Sequence, residues 1–164
     1  MAKRKTQLSH VDGTGHARMV NVGDKSVTAR MAVAEGRVRI NAALAEAIRG
    51  NAIAKGNVLD VARLAGILAA KRTDELIPLC HTLPLDAVHV EAELRRDHIY
   101  LRAEARTTAK TGVEMEALTA VAVAALTIID MGKAIDKAMT IEGIRIVEKM
   151  GGRSGHYRAA EVTP

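Results

Sequence analysis

Asp130-Met131-Gly132-Lys133 sets a carboxylate and an ammonium three residues apart, just past a long apolar run from Val113 to Ile129. On a helix, residues at that spacing share a face. In water such a pair is an ordinary helical ion pair. In a dry setting both groups shift, and the pair becomes an acid–base couple. Gly132 between them costs about 1 kcal/mol of helix propensity against Ala; a close approach by substrate or another backbone accounts for it. Lys110-Thr111-Gly112-Val113-Glu114-Met115-Glu116 opens the same run. Both carboxylates fall in a first helical turn, where the helix dipole favours them. Thr111 with Glu114 matches a capping box, whereas capping does not explain Glu116. A third segment, Leu79-Cys80-His81, puts a thiol beside an imidazole. That pair offers a nucleophile with its base, or two metal ligands. Sequence neighbours rarely aim correctly for the first. For the second, His89 and His98 supply no paired ligand spacing. The expectation is no metal and no cofactor. Taken alone, Cys80 reads as a small buried hydrophobe.

These segments must be brought together by helices and strands. From Glu116 to Asp130 a straight helix rises about 21 Å. A small substrate meets both ends only by spanning the helix or by sitting between chains, and the expected site lies at a subunit interface. Lys25, Lys71, Arg72, Arg106, Lys110, Lys149 and Arg153 are candidate phosphate ligands. No P-loop or dinucleotide fingerprint accompanies them, so side-chain charge must do the holding.

Alternation from Ser26 to Val33, a Glu35-Gly36 turn and renewed alternation to Ile40 predict a hairpin. Ala17 to Val22 reads as a short strand. Asn41 caps a helix ending at Gly50, and Asn57 caps a second one running to about Lys71. Leu76 to Leu85, broken by Pro78 and Pro84, suits neither helix nor central strand. Val88 to Leu94 and Ile99 to Ala105 form a second hairpin around Arg96-Asp97. A largely buried helix runs from Val113 to about Ala138, and Ile141 to Val147 is the last strand. The order strand, helix, two strands, long helix, strand predicts an α+β fold: a ferredoxin-like split βαβ sandwich, its antiparallel sheet packed by two main helices, with N-terminal additions. Residues 1–15 read as a flexible segment, 16–150 as one catalytic domain and 151–164 as a flexible tail.

The 164 residues carry a formal net charge of +5, with 48% hydrophobic and only 1% aromatic residues. The core must therefore be aliphatic and rich in Ala. The charge favours anionic partners, although Lys3, Arg4 and Lys5 supply three of the positive charges. A basic nucleotide- or nucleic-acid-binding module is the rival reading. Against it stand the near absence of aromatics for base stacking and the lack of a helix-turn-helix or RNP pattern. A single cysteine suits a reducing, cytoplasmic setting. No leader is apparent, and the Glu-bearing apolar run reads as a core helix rather than a membrane span.

Taken together, Lys71-Arg72-Thr73 through Leu76-Ile77-Pro78-Leu79-Cys80-His81, Lys110 through Thr119, and Asp130-Met131-Gly132-Lys133-Ala134 resemble the cyclic pyranopterin monophosphate synthase family of molybdenum cofactor biosynthesis. So do Ala17-Arg18-Met19-Val20 and Gly151-Gly152-Arg153-Ser154-Gly155. The resemblance covers almost the whole chain. It implies a homohexamer built as a trimer of dimers, with sites between subunits. It also implies a lyase acting on a nucleotide-derived small molecule, 3′,8-cyclo-7,8-dihydro-GTP, to give cyclic pyranopterin monophosphate and diphosphate. Carried across residue by residue, it assigns Asp130, Lys133 and Lys55 to catalysis. Leu79, Cys80, His81, Glu114, Met115 and Glu116 go to substrate binding. Neither nucleic acid nor membrane is implied as a partner. The chain departs from the family pattern at Thr82, Asn57, Ile129 and Gly132, where Pro, Asp, Tyr and Cys are usual.

Overall fold

A computed structural model describes residues 15–152 and 155–160. In chain order the elements are β1 (Thr28–Arg39), α1 (Ala42–Arg49), α2 (Val58–Ala70), the single turn α3 (Thr73–Leu76), β2 (Ala87–Leu94), β3 (His98–Ala109), α4 (Glu114–Gly132), β4 (Thr140–Met150) and β5 (Tyr157–Arg158). The strands form one sheet in the order β2-β3-β1-β4-β5, every neighbouring pair antiparallel. β1 and β2 are not neighbours, and β3 lies between them. This is the split βαβ arrangement expected of a ferredoxin-like α+β fold.

Period-two patterning decides which face of the sheet is covered. Ala32, Ala34 and Val38 of β1 and Ile99, Leu101, Ala103 and Ala105 of β3 are fully buried. They meet Ala117, Ala120, Val121, Ala124, Ala125 and Ile128 of α4. With no large aromatic available, small side chains on both sides let the backbones approach. Gly66 of α2 shows how closely: a Cβ there would lie 2.9 Å from the carbonyl oxygen of Ala120 in α4 and 3.3 Å from both methyls of Val90. α4 is long and apolar enough to cross a bilayer by length and composition. Just over half of that apolar stretch is instead buried, against the sheet and α2, while Leu126 and Met115 stay exposed.

Both capping asparagines do what their spacing predicts. Asn41 Oδ1 accepts the Leu44 N–H at 2.8 Å, and Asn57 Oδ1 accepts those of Leu59 and Asp60 at 3.1 and 3.2 Å. Gly50 closes α1.

Three expectations change. The Glu35-Gly36 hairpin does not form, because β1 runs straight through it between β3 and β4. Gly36 is small for packing reasons: a Cβ would stand 2.9 Å from Val121 Cγ1 and 3.0 Å from Ile144 Cγ1. The irregularities lie on β4, where register slips once between the Val33–Glu148 and Ala34–Ile146 pairs and again between the Glu35–Arg145 and Arg37–Glu142 pairs. Gly143 takes a positive φ of 64° there, the usual geometry of a glycine bulge. Residues 17–22 are not a strand, since only Ala17 makes a bridge. The segment crosses the chain irregularly to line a cavity. Finally, α4 stops at Gly132 rather than near Ala138. The N–H groups of Ile135 and Asp136 both turn back to the Gly132 carbonyl, at 2.9 and 3.0 Å.

The expected N-terminal segment through residue 14, and residues 153–154 and 161–164 of the expected tail, lie outside the described residues. Tyr157–Arg158, within that expected tail, pair with β4 as β5.

Candidate active site

The chemistry-bearing residues gather at the two ends of α4. At its N-terminal end a cavity of about 410 Å³ is lined by Leu79, Cys80, His81, Glu114, Met115 and Glu116. These are all six substrate-site candidates, and Val20, Val22, Lys25, Leu83, Thr111 and Gly112 complete the wall. The proline-broken segment after α3 supplies one side and the entry to α4 the other. His81 Nε2–H donates to the Val20 carbonyl at 2.8 Å, which fixes the ring and holds the irregular 17–22 segment against the cavity.

The expected capping box is absent. Val113 precedes α4 without a side-chain cap. Glu114 is instead drawn to β4, where Lys149 Nζ donates to its Oε1 at 2.8 Å. With Lys149 the carboxylate gains an opposite full charge as well as a hydrogen bond. A Cβ on Gly112 would overlap the Glu114 carboxylate, so glycine is what allows the carboxylate to fold over the cavity rim. Glu116 is 4% exposed. Burial pushes its carboxyl up to about 6; its own backbone N–H opposes this, while the Glu114 and Asp74 charges add to it. The Cys80 thiol is also raised, first by burial and then by the charges of Glu116 and Asp74. That setting disfavours the thiolate that a nucleophile needs. Among the described residues no three His, Cys, Asp or Glu side chains gather to hold a metal ion.

At the C-terminal end of α4, Asp130 stands between two ammoniums. Lys133 Nζ donates to Oδ1 at 2.7 Å, and Lys55 Nζ donates to Oδ2 at 2.5 Å and to the Asp130 carbonyl at 3.1 Å. Lys55 hangs from the loop joining α1 to α2, whose anchor is the buried Ile53 and whose turn uses Gly56 at φ 98°. The two lysines, Lys133 foremost, hold the Asp130 carboxyl down at about 2. The dry setting expected from the apolar run is not found in a single chain. Side chains of Lys55, Asp130 and Lys133 are 51%, 56% and 63% exposed, because the helix ends where its apolar stripe does. About 21 Å of helix separates this triad from Glu116.

The departures from the family pattern have local explanations. Thr82 donates to Asp74 at 2.5 Å. Asn57 caps α2. Ile129 packs against the core. Gly132 makes room for α1, since a Cβ would sit 2.8 Å from Leu44 Cδ2.

Of the candidate phosphate ligands, Lys25 lines the cavity, while Lys110 donates to the Gly23 carbonyl at 2.5 Å. Arg106 is occupied by Glu104 at 2.7 Å. Lys71 and Arg72 are exposed, at the end of α2, and Arg153 lies outside the described residues. Sequence reasoning missed Arg30 of β1. Its Nε is buried with no partner among the described residues, and its guanidinium fills the place a Cβ would take on Gly152, which has a φ of 75°. The paired glycines were the available signal, since they mark a backbone that something must approach closely.

A model of the MoaC family matches residues 19–152. The chain is 56% identical over 154 residues to the cyclic pyranopterin monophosphate synthase of Novosphingobium aromaticivorans, covering 94% of this chain and 98% of that protein. It is 56% identical over 154 residues to the protein of the same name from Thermomicrobium roseum, covering 93% of each. Against the Nostoc protein of that name it is 54% identical over 157 residues, covering 94% of each. A family match across most of the chain, with relatives aligned nearly end to end, places the protein: it belongs to the MoaC family.

Proposed function

We propose that this chain is a cyclic pyranopterin monophosphate synthase, a lyase converting 3′,8-cyclo-7,8-dihydro-GTP into cyclic pyranopterin monophosphate and diphosphate for the molybdenum cofactor. The observation that carries the reading is the Asp130 carboxylate held between Lys55 and Lys133, in a chain whose near-full-length relatives bear that name. The reaction opens the five-membered ring of the purine and rebuilds it as a pterin. A hydroxyl of the former ribose then attacks the α-phosphorus, and diphosphate leaves. Proton transfers dominate such a sequence, and each needs a donor or acceptor of matched strength. Asp130 stays ionised and keeps both ammoniums oriented. Lys133, oriented by the ionised Asp130, moves protons during ring opening and pterin closure. Lys55 neutralises developing charge or acts as a second acid.

The cavity at the other end of α4 takes the nucleotide-derived portion. Glu116, poised near neutrality, and His81 meet its polar edges, and basic side chains hold the leaving diphosphate. Since about 21 Å separates the two groups, the proposal includes a site completed by a neighbouring subunit, as in a hexamer built as a trimer of dimers. The half-exposed triad then becomes dry on assembly. A cytoplasmic setting suits the lone thiol Cys80.

The test is anaerobic incubation of the purified protein with the cyclic dihydro-GTP, following cyclic pyranopterin and diphosphate together. Equimolar release of both supports the reading. Folded, oligomeric protein that releases neither overturns it.

A further inference from the structure

Asp136 is a buried carboxylate to which the proposed chemistry gives no part. It is 4% exposed and lies three residues beyond Lys133, in the turn that leaves α4. Its Oδ2 accepts the backbone N–H of Asn41 at 2.7 Å, and its Oδ1 accepts that of Ala138 at 3.0 Å. Asn41 is the cap of α1 and gives its own side-chain oxygen to Leu44 N–H. One carboxylate therefore ties the exit of α4 to the start of α1. Leu44, in that first turn of α1, also occupies the space a Cβ would need on Gly132. A buried charge is costly unless its acceptor sites are filled. Here one oxygen takes the Asn41 N–H at the N-terminus of α1, where negative charge is favoured, and the other takes the Ala138 N–H in the connection to β4.

The two ammoniums on Asp130 come from the two segments joined in this way. Lys133 lies between Gly132, whose carbonyl takes the Asp136 N–H, and Asp136 itself. Lys55 hangs from the loop that follows α1. We infer that Asp136 is a positioning residue for the Asp130 site: by locking the start of α1 to the turn after α4, it sets the distance between Lys55 and Lys133 across Asp130. The inference rests on the reading of Asp130, Lys55 and Lys133 as the reacting set. It does not place Asp136 in contact with substrate.

Asp136→Ala and Asp136→Asn test it, with Val33→Ala, a buried truncation in the middle of β1, as a control for lost core stability. Two readouts are taken on the full chain. One is kcat and KM for the cyclic dihydro-GTP. The other is the rate at which trace acetic anhydride acetylates Lys55 relative to Lys71, read by peptide mass spectrometry. The second needs no turnover. Asp136→Ala lowers kcat about tenfold to a hundredfold, the scale of a small misplacement of reacting groups, with KM nearly unchanged. Its Lys55, no longer held against Asp130, acetylates severalfold faster. Asp136→Asn keeps one oxygen for Asn41 but turns an amide nitrogen toward Ala138, and falls between wild type and Asp136→Ala on both readouts. Val33→Ala leaves both near wild type. Wild-type kcat and Lys55 reactivity in Asp136→Ala overturn the inference, as they do in Asp136→Asn if the alanine variant does not fold. Should the wild type itself release no product, the functional reading fails, and the acetylation ratio alone decides the latch.

Discussion

The Lys55 ammonium lies 2.5 Å from the Asp130 carboxylate although 75 positions separate the two residues. Lys133, three residues from Asp130, closes on the other oxygen at 2.7 Å. A local pair and a long-range pair thus converge on one carboxylate, and the long-range one requires the whole of α1 and its following loop to be in place.

Asp130→Asn should lower turnover by orders of magnitude while barely changing stability, since the side chain is more than half exposed. The depressed carboxyl, at about 2 against an ordinary 3.8, also carries a sign. A group depressed on folding stabilises above its unfolded value, and that contribution is lost as pH falls through the folded one. Asp130 is therefore ionised throughout the working range, and the acidic limb of a kcat profile belongs to other groups. Steady-state rates of Asp130→Asn between pH 5 and 9 check both points. Near-normal turnover at any pH in that range removes Asp130 from the reaction.

A site shared between chains has a consequence that a single-chain site lacks. Asp130→Asn damages one end of α4 and Glu114→Ala the other, so each variant is inactive alone. Co-expressed in equal amounts, they produce some interfaces that take an intact cavity from one chain and an intact triad from the other. Random assembly gives about a quarter of wild-type activity per site. Activity no greater than the sum of the two variants shows that each chain completes its own site.

Much of this was legible in the sequence, and the reasons are physical. Period-two runs in β2 and β3, the Asn41 and Asn57 caps and the apolar run of α4 are local signals, and the structure follows them. The strand order follows too, because few connections of two strands, a helix and a strand remain open. What was not legible depends on partners far away in the chain. Gly36 looked like a turn because nothing local says that Val121 and Ile144 crowd it. Glu114 looked like a cap because Lys149, 35 residues on, was invisible as its competitor. Nothing local marks Asp136; its acceptance of the Asn41 N–H, 95 residues away in the chain, places it at a junction. The exposure of Asp130 was misjudged for a related reason: an apolar run predicts burial along a helix but not at its last turn.

Gly66→Ala separates propensity from packing. Alanine gains about 1 kcal/mol in a helix interior. Its Cβ would stand 2.9 Å from the Ala120 carbonyl oxygen, a backbone atom of α4 that cannot rotate away. Moving two packed helices apart costs about 1–3 kcal/mol, so the propensity gain is offset and the variant is less stable by up to about 2 kcal/mol on balance. Urea unfolding measures it. A stabilised variant means that α2 and α4 are not in contact at this crossing.

Glu116 makes the last prediction, because its carboxyl is raised where Asp130's is lowered. Burial lifts it from an ordinary 4.5 to about 6, so the folded protein binds a proton there that the unfolded chain has released. The sign follows from proton counts: where the native state holds more protons, stability falls as pH rises. The loss begins near 4.5, continues through about 6, and is complete above it. Glu116→Gln resembles the protonated acid and escapes this loss. The stability of wild type minus that of Glu116→Gln should therefore decline across that window by on the order of 1 kcal/mol, allowing for some solvent screening in the cavity. Urea midpoints at pH 4.5, 5.5, 6.5 and 7.5 give the difference. A difference that stays flat, or grows with pH, means that the Glu116 carboxylate is fully hydrated in the cavity and has no reason to stay protonated near neutrality.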